Sequence, residues 1–332
     1  MIALDANGAD RGAGAVMEGA RIAGLPVTFY GPSAELGGAP GEVVDAPVFV
    51  SNYEDPGLAV RSKPDASIVQ GARAVADGRT DALVSFGSTG AALAASLFHI
   101  KRLRGVRRPA VAVLLPVPGR DLLLLDAGAN VEVRTEELVQ FAYMGAMYME
   151  AVEGVANPVV GLLSNGEEAK KGTEQIVEAN ERLRESAALN FYGNVEGTDL
   201  IESPVDVLVT DGFTGNVALK VLEGTAKVVG GAVRDAIMSG TVSKVGGLLV
   251  RRKLRPLQRR FSAEHVGGAI LLGLRGVVVV GHGSSSPETI ATALQVAQRA
   301  VDERMLERTS AALEQAGVLR SAPAGSVALA DE

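Results

Sequence analysis

The chain of 332 residues contains no cysteine and no tryptophan, and only 4% of its residues are aromatic. The absence of cysteine excludes a disulfide-stabilised scaffold, a thiolate zinc site, an iron–sulfur cluster and a cysteine nucleophile. A formal net charge of −7 with so few aromatic residues argues against a general nucleic-acid-binding protein. No apolar run reaches the roughly 20 residues of a membrane-spanning helix, and no signal peptide is visible. We therefore expect a cytoplasmic protein.

Short apolar segments alternate with amphipathic ones along the chain, a pattern typical of a mostly parallel sheet covered by helices on both faces. We expect this unit to span residues 1–320, a loop-dominated stretch at Gly31–Pro47, and a disordered tail at 321–332. The predicted strands are Ile2–Asp5, Val27–Tyr30, Ala82–Ser85, Ala110–Leu115, Leu122–Asp126, Val159–Leu163, Val205–Thr210 and Val277–Val280. The predicted helices are Ala15–Ala23, Ser67–Ala76, Ala91–His99, Thr135–Glu153, Thr173–Glu185, Val217–Met238 and Pro287–Gln315.

Polar, glycine-rich segments follow six of these predicted strands. In parallel α/β folds, ligands bind beyond the carboxyl ends of the strands. A turn of Gly, Ser and Thr before a helix offers free N–H groups and the positive end of the helix dipole to an anion. One such turn often only caps a helix, but several turns with a lysine nearby favour an anion site. The segments are 5–10, 85–90, 126–130, 164–172, 210–216 and 281–285.

Common nucleotide and metal motifs are missing. Gly161–Gly166 has the spacing of a P-loop, but Glu167 follows where that motif requires lysine. The histidines, His99, His265 and His282, show no metal-ligand spacing, so we expect no metal. His282 lies between two glycines at a strand end, where a local hydrogen bond and a ligand contact are both open.

A basic, apolar segment spans residues 239–261. From Ala236 to Ala263 there is no acidic residue, while seven are Lys or Arg. The segment is either a solvated helical hairpin that packs its leucines on a neighbour, or a projecting tip that touches an anionic membrane or an acidic protein. The residues predicted to make the second kind of contact are Leu248, Leu249, Val250, Arg251, Arg252, Leu254 and Leu257.

Together these motifs resemble the PlsX family, the acyl-ACP:phosphate acyltransferases of bacterial phospholipid synthesis. The most specific match is the family's V-T-D-G-F-T-G-N-V-x-L-K, found at Val209–Lys220. The chain departs from the family pattern at Asn7 (Met in the family), at Ser88 (Asn) and at Ser164-Asn165. The other matching segments are Asp5–Asp10, Ser85–Ala91, Leu125–Asn130, Glu137–Gly145, Gly161–Glu168, Lys171-Gly172, Asn194–Leu200, Gly267–Ala269 and His282–Ser285.

The resemblance implies a three-layer αβα fold like those of phosphotransacetylases and isocitrate or isopropylmalate dehydrogenases, assembled as a homodimer. It implies that inorganic phosphate attacks a long-chain acyl-ACP and yields acyl phosphate and free acyl carrier protein (ACP), without a cofactor. A glycerol-3-phosphate acyltransferase that uses acyl phosphate would act next, at the inner face of the membrane. Phosphate dianion has a second pKa of about 6–7, so its attack requires no strong general base.

We expect Lys171 and Asn216 to be the catalytic groups. Lys171 would neutralise phosphate or the developing oxyanion, unless it is an ordinary surface lysine, and Asn216 would orient a substrate oxygen. We expect the acidic side chains to pair with lysine or with loop N–H groups, because bare carboxylates would repel phosphate. One cleft would then collect the substrate-binding residues, which are Asp5, Asn7, Gly8, Gly87, Ser88, Thr89, Gly90, Asp126, Asn130, Gly166, Glu167, Asp211, Gly212, Thr214, Gly215 and His282.

Two other classes of protein stay open. A dehydrogenase of the same general fold would need a nicotinamide site and usually a carboxylate-bound metal. A docking protein without activity would use the basic segment alone and would leave the polar strand ends without a purpose.

Overall fold

The computed structural model describes residues 1–240, 243–244, 246–247 and 268–320. Within them, eleven strands form one sheet in the order β3-β2-β1-β4-β11-β10-β5-β6-β9-β7-β8. The strands are β1 (Ile2–Asp5), β2 (Val27–Gly31), β3 (Glu42–Asp45), β4 (Ala82–Ser85), β5 (Ala110–Val117), β6 (Arg120–Leu125), β7 (Val159–Ser164), β8 (Asn190–Glu196), β9 (Val207–Val209), β10 (Ala269–Leu272) and β11 (Val277–Val280).

Helices cover both faces of this sheet, which confirms the predicted fold class. Two short helical turns, Ser96–Ile100 and Gly197–Leu200, accompany them. The helices are α1 (Gly12–Ala23), α2 (Pro56–Ser62), α3 (Ser67–Ala76), α4 (Thr89–Ala95), α5 (Thr135–Ala151), α6 (Glu174–Arg184), α7 (Gly212–Met238), α8 (Pro287–Asp302) and α9 (Met305–Gln315).

The apolar runs of the strands are buried on both sides. All four valines of β11 are buried, and so are Leu122–Leu125 of β6. One face of the sheet packs against α1, α5, α6, α8 and α9. The other face packs against α2, α3 and α4 on one side of the sheet and against the first part of α7 on the other. Two-sided burial explains why these strands read as continuous hydrophobic runs rather than alternating ones.

Strand direction changes in the middle of the sheet. The strands β1, β2, β3, β4 and β11 are mutually parallel, β10 runs against both of its neighbours, and β5 runs against β6. The strands β6, β9, β7 and β8 are again mutually parallel. Consequently β6 runs opposite to β4, and the loops that follow the two strands leave the sheet in opposite directions.

Four elements were not predicted from the sequence, and one predicted helix is divided into two. The stretch predicted as a loop at Gly31–Pro47 contains β3, and α2, β8 and β10 were not predicted. The helix predicted over Pro287–Gln315 is two helices, because Arg304 adopts a left-handed φ of 52° between them. A left-handed residue interrupts the hydrogen-bond ladder of a right-handed helix.

No helix within the described ranges is both long enough and apolar enough to cross a bilayer. The residues predicted to contact a membrane or ACP, from Leu248 to Leu257, lie outside the described residues, as does the predicted tail at 321–332.

Candidate functional site

The candidate residues divide into two groups according to the strands that carry them. The first loop group follows β1, β4 and β11 and comprises residues 5–10, 85–90 and 281–285. The second loop group follows β6, β9 and β7 and comprises residues 126–130, 210–216 and 164–172. Each group consists of loops at adjacent or nearly adjacent strand ends, where parallel strands deliver their following residues to one edge.

In the first loop group, the polar side chains mostly bond to one another. Asp5 is buried; it accepts a hydrogen bond of 2.7 Å from the Ser85 hydroxyl and one of 3.2 Å from the backbone N–H of Asn7. The Asn7 amide donates to the carbonyl of Ala46 at 3.2 Å. Across the group, the N–H of Asp10 donates to the carbonyl of Gly283 at 2.9 Å and joins the β1 loop to the β11 loop.

Close backbone contacts fix the remaining members of this group. A β-carbon on Gly8 would lie 3.6 Å from the α-carbon of Gly87, and one on Gly90 would lie 2.8 Å from Pro56. Ser88 caps α4 by accepting from the N–H of Ala91 at 3.4 Å, while the exposed His282 ring bonds to Ser284 through Nδ1 at 2.7 Å. The local hydrogen bond considered for His282 is therefore present.

Burial raises the pKa of Asp5 to about 6, although hydrogen bonding from Ser67, Ser85 and Asn7 acts in the opposite direction. Removal of a carboxylate from water disfavours its charged form, and these donors do not compensate for that loss. Asp5 thus gains or loses a proton close to neutral pH at the centre of the first loop group.

In the second loop group, Asp126 organises the backbone. Its Oδ1 accepts from the N–H groups of Val111, Gly128 and Ala129 at 3.0–3.1 Å, and its Oδ2 accepts from the N–H and side-chain amide of Asn130 at 2.7 and 2.8 Å. Burial raises the pKa of Asp126, while these donors lower it. The expected bonding of this carboxylate to loop N–H groups is present, so Asp126 shapes the loop.

The start of α7 packs directly on this loop. Asp211 caps the helix by accepting from the N–H and hydroxyl of Thr214 at 2.8 and 2.7 Å. A β-carbon on Gly212 would lie 2.6 Å from the carbonyl of Asn130, and one on Gly215 would overlap the carbonyl of Asp126. Glycine at both positions therefore lets the first turn of α7 approach the loop closely enough to hold Asn216 beside Gly128, 3.7 Å from a β-carbon placed there.

Lys171 lies in the loop after β7. Its stem packs on Gly166, where a β-carbon would come within 2.7 Å of Lys171 Cγ. The buried Asn194 amide holds the loop by donating to the carbonyls of Glu168 and Lys171 at 2.8 and 3.3 Å. The side chains of Lys171 and Asn216 are exposed, and neither makes a hydrogen bond or ion pair with any other residue that the structure describes. The lysine and the amide are thus available to a ligand.

Register sets the distance between the two groups. Ser85 pairs with Val280, which pairs with Ala269, while Ile270 pairs with Ala112 and Ala112 with Leu125. The ends of β4 and β6 therefore lie at nearly the same height, four strand spacings or about 19 Å apart along the sheet. The single shared cleft stays a prediction.

Sequence reasoning missed several residues that border the first loop group. Phe49 lies 3.7 Å from a β-carbon placed on Gly8, and Pro56 packs on Gly90. Both belong to an irregular stretch without a recognisable motif, and only the fold brings them to the loops. Within the ranges described, no three His, Asp or Glu side chains converge to hold a metal ion.

Solved structures share this architecture. The EutD phosphotransacetylase from Staphylococcus aureus has a TM-score of 0.61 at 14% identity and covers 91% of this chain and 94% of its own. A phosphotransacetylase from Streptococcus pyogenes has a TM-score of 0.59 at 17% identity, with coverages of 91% and 94%. The protein therefore has the α/β fold found in phosphotransacetylases.

Sequence relatives narrow this class to one family. Residues 1–308 match the profile of a family described as fatty acid synthesis protein. The phosphate acyltransferase of Anaeromyxobacter sp. (strain K) is 42% identical over 340 residues, which cover 98% of this chain and 94% of that protein. That of Pelotomaculum thermopropionicum is 40% identical over 325 residues, with coverages of 94% and 95%. The chain belongs to the PlsX family, the phosphate acyltransferases of fatty acid and phospholipid synthesis, as its motifs indicated.

Proposed function

We propose that the protein transfers a long-chain acyl group from acyl-ACP to inorganic phosphate and releases acyl phosphate and free ACP. The observation that carries this proposal is the pair Lys171 and Asn216, which follow the adjacent strands β7 and β9 and whose side chains have no partner within the part of the chain that the structure describes. A cation beside a neutral amide suits a reaction in which negative charge moves onto a carbonyl oxygen. Membership of a phosphate acyltransferase family supports the same reaction.

In the proposed step, an oxygen of phosphate dianion attacks the carbonyl carbon of the thioester. A C–O bond forms, the carbonyl oxygen takes up the electron pair, and Lys171 stabilises the resulting oxyanion. Collapse of this intermediate breaks the C–S bond, and the thiolate takes the proton that the phosphate carried. Asn216 orients the attacking or the carbonyl oxygen, and holding the reactants in contact supplies much of the rate.

The other candidate residues position these reactants. The N–H groups of Gly87, Gly212 and Gly215 already donate to Ser85, Asn130 and Asp211. Other backbone N–H groups at the starts of α4 and α7 suit phosphate or thioester oxygens, because N–H groups bind oxyanions without a counter-charge. Thr89 and Thr214 place hydroxyls at the same helix starts. Asp5, Asp126 and Asp211 act by ordering loops, since each accepts hydrogen bonds from its own surroundings.

The test is product formation from purified acyl-ACP with and without inorganic phosphate. We expect free thiol to appear only with phosphate, together with an equal amount of acyl phosphate trapped as the hydroxamate. Thiol release that does not depend on phosphate would identify a thioesterase and reject the proposal. A change in nicotinamide absorbance with a hydroxy-acid substrate would instead identify a dehydrogenase.

We also propose that α7 mediates a homodimer. After its first turn α7 is largely exposed, and Val217, Val221 and Val228 recur at helical spacing with exposed fractions of 45%, 62% and 71%. A continuous apolar helix face is more typical of an interface than of a solvated surface. Light scattering of Val221→Glu/Val228→Glu should show monomers where the wild type shows dimers, and dimeric variant protein would refute this interface.

Membrane contact through residues 239–261 is a separate proposal that rests on sequence alone. Seven basic residues accompany its leucines, and each Lys or Arg near an anionic leaflet contributes about 1 kcal/mol. Peripheral contact at the cytoplasmic face would deliver a long-chain product directly to a membrane-bound glycerol-3-phosphate acyltransferase. Co-sedimentation with anionic vesicles should be lost in Leu248→Glu/Leu254→Glu, and retained binding would reject the contact.

A further inference from the structure

A cavity of about 540 Å³ beside the second loop group is lined by an unusual accumulation of positive charge. Ala129 and Asn130 of the loop that Asp126 organises form part of its wall, and Leu93 and Leu97 of the α4 segment form another. The cavity therefore adjoins the loop that faces Asn216. Its charged lining, called the arginine cavity below, consists of Arg102, Arg107, Arg108, Arg134, Arg320 and Glu137.

Most of these guanidinium groups have no counter-charge. Arg108 pairs with Glu137 at 3.3 Å, and the second oxygen of Glu137 accepts from the backbone N–H of Arg134 at 2.9 Å. The other four arginines form no ion pair with any carboxylate that the structure describes. Like charges at close range repel each other. A polyanion that lies against this lining would therefore lower its electrostatic energy.

The walls of the cavity are fixed from behind by a buried glutamine. Gln140 accepts from the N–H of Arg107 at 2.9 Å, and its amide donates to the carbonyls of Gly105 and Val318 at 3.0 and 2.8 Å. One side chain thus ties together the Arg102–Arg108 loop, α5 and the chain that leads to Arg320. Arginines on a fixed scaffold lose less conformational freedom on binding than arginines on mobile loops.

A neighbouring cavity of equal volume shows that the charge accumulation is local. It also has arginines in its lining, but Glu136 and Glu185 accompany them, and Arg182 pairs with Glu136 at 3.7 Å. Its charges are therefore roughly balanced, whereas those of the arginine cavity are not. The difference sets the arginine cavity apart within a chain whose net charge is −7.

We propose that the arginine cavity is the docking surface for the acidic protein that carries the acyl group, which under the proposed function is ACP. Exposed arginines interspersed with Leu97 and Pro109 combine the charge and apolar contact that protein interfaces favour. The cavity opens beside the second loop group, so a carrier held there presents its thioester towards Lys171 and Asn216. This inference rests on the proposed function. It places the binding site for the acyl carrier at the arginine cavity rather than at residues 239–261.

The test compares two donors of the same acyl group, acyl-ACP and an acyl thioester of N-acetylcysteamine. The variant is Arg107→Glu/Arg134→Glu; Arg134 precedes α5, where a negative charge is favourable for the helix, so the variant should fold. We expect the ratio of kcat/KM for acyl-ACP to that for the small thioester to fall at least about ten-fold. The Kd for holo-ACP, measured by fluorescence anisotropy, should rise by a similar factor. The matched control is Arg304→Glu/Arg21→Glu, which makes the same charge change on α1 and before α9.

Each outcome separates this inference from the proposed function. If wild-type protein makes no acyl phosphate, the proposed function fails. If it makes acyl phosphate but the donor ratio and the Kd of the variant match those of the control, the docking surface is wrong and the function stands. A loss of anionic-vesicle binding in the variant with unchanged affinity for holo-ACP would show that the cavity meets a membrane, and would also overturn the inference. A bound carrier should be released by about 0.5 M salt, since exposed charge pairs are screened at that ionic strength.

Discussion

The two loop groups use similar residues for different purposes. In the first loop group, Asp5 and Asn7 bond to neighbouring segments, Ser88 caps its own helix, and the central carboxyl has a pKa of about 6. In the second, Asp126 and Asp211 also bond internally, but Lys171 and Asn216 have no hydrogen-bond or ion-pair partner among the described residues. Glycine-rich strand ends of nearly identical appearance therefore differ in what they offer a ligand: the first group offers a fixed backbone, the second a cation and a free amide.

This contrast predicts where substitution removes activity. Lys171→Ala should lower kcat by about 100- to 1000-fold, the loss typical of removing one oxyanion contact, while the free energy of unfolding changes little. Lys170→Ala is the matched control, because it removes an exposed lysine one residue away in the same loop. Acyl phosphate formation and urea unfolding of both variants provide the measurement. Equal rates for the two variants would make Lys171 a surface lysine.

The buried carboxyl of Asp5 predicts that the stability of the folded protein depends on pH. The pKa of Asp5 is about 6 in the folded protein, against 3.8 for an aspartate surrounded by water. The folded state therefore binds the proton more tightly, and the stability that Asp5 contributes is present below about pH 4 and is lost as the pH rises through about 6. A shift of about two pKa units corresponds to about 3 kcal/mol.

Because of Asp5, the unfolding free energy of the wild type should fall by about 3 kcal/mol between about pH 4 and pH 7.5. In Asp5→Asn, this fall should be absent. Urea unfolding of wild type and variant at both pH values gives the difference. Asp45→Asn is the control, because the N–H of Ser33 lowers the pKa of that exposed carboxyl and any effect has the opposite sign. Parallel pH profiles for wild type and Asp5→Asn would show that Asp5 is ionised normally.

In the second loop group, α7 approaches the Asp126 loop so closely that we expect Gly215 not to tolerate a side chain. Gly215→Ala should lower the unfolding free energy by about 1–3 kcal/mol, because its β-carbon overlaps the carbonyl of Asp126. Gly230→Ala, farther along α7, on the side away from Val221 and with nothing within 4 Å, should raise it by about 0.5–1 kcal/mol through helix propensity. Chemical denaturation of both variants tests this. Stabilisation by Gly215→Ala would mean that α7 does not pack on the Asp126 loop.

Sequence patterns predicted the buried strands correctly but missed the strands at the two borders of the sheet. The strands β1, β4 and β11 match their predicted bounds, because two-sided burial leaves a continuous apolar run. The strand β3 borders the sheet with exposed Glu and Asp, and β8, at the other border, carries Asn and Gly, so neither shows that run. Their strand geometry comes from hydrogen bonds to a single neighbour.

The loops of the candidate site were predictable, but their separation was not. The unpredicted strand β10 inserts one strand spacing between β11 and β5 and reverses the chain direction. Even without β10, the strands β11 and β5 lie between β4 and β6, and the antiparallel pairing of β5 with β6 makes β6 run opposite to β4. The start of α7 was also placed five residues late, at Val217, because glycines at 212 and 215 suggest a turn. The structure explains those glycines by their contact with the Asp126 loop.

The caps of α4 and α7 give the smallest expected difference between the two groups. Asp211 accepts from Thr214 N–H at 2.8 Å, while Ser88 accepts from Ala91 N–H at 3.4 Å. Asp211→Ala should lower the unfolding free energy by about 1 kcal/mol, and Ser88→Ala by about 0.5 kcal/mol, since a longer hydrogen bond contributes less. Asp211→Ser restores a capping oxygen and should recover most of the loss.

Because the Asp211 cap also sets the position of Asn216, Asp211→Ala should lower kcat as well, whereas Ser88→Ala should leave the geometry of Lys171 and Asn216 intact. Urea unfolding and acyl phosphate formation measure both effects, and a larger loss of stability in Ser88→Ala than in Asp211→Ala would show that the cap with the longer hydrogen bond is the stronger one.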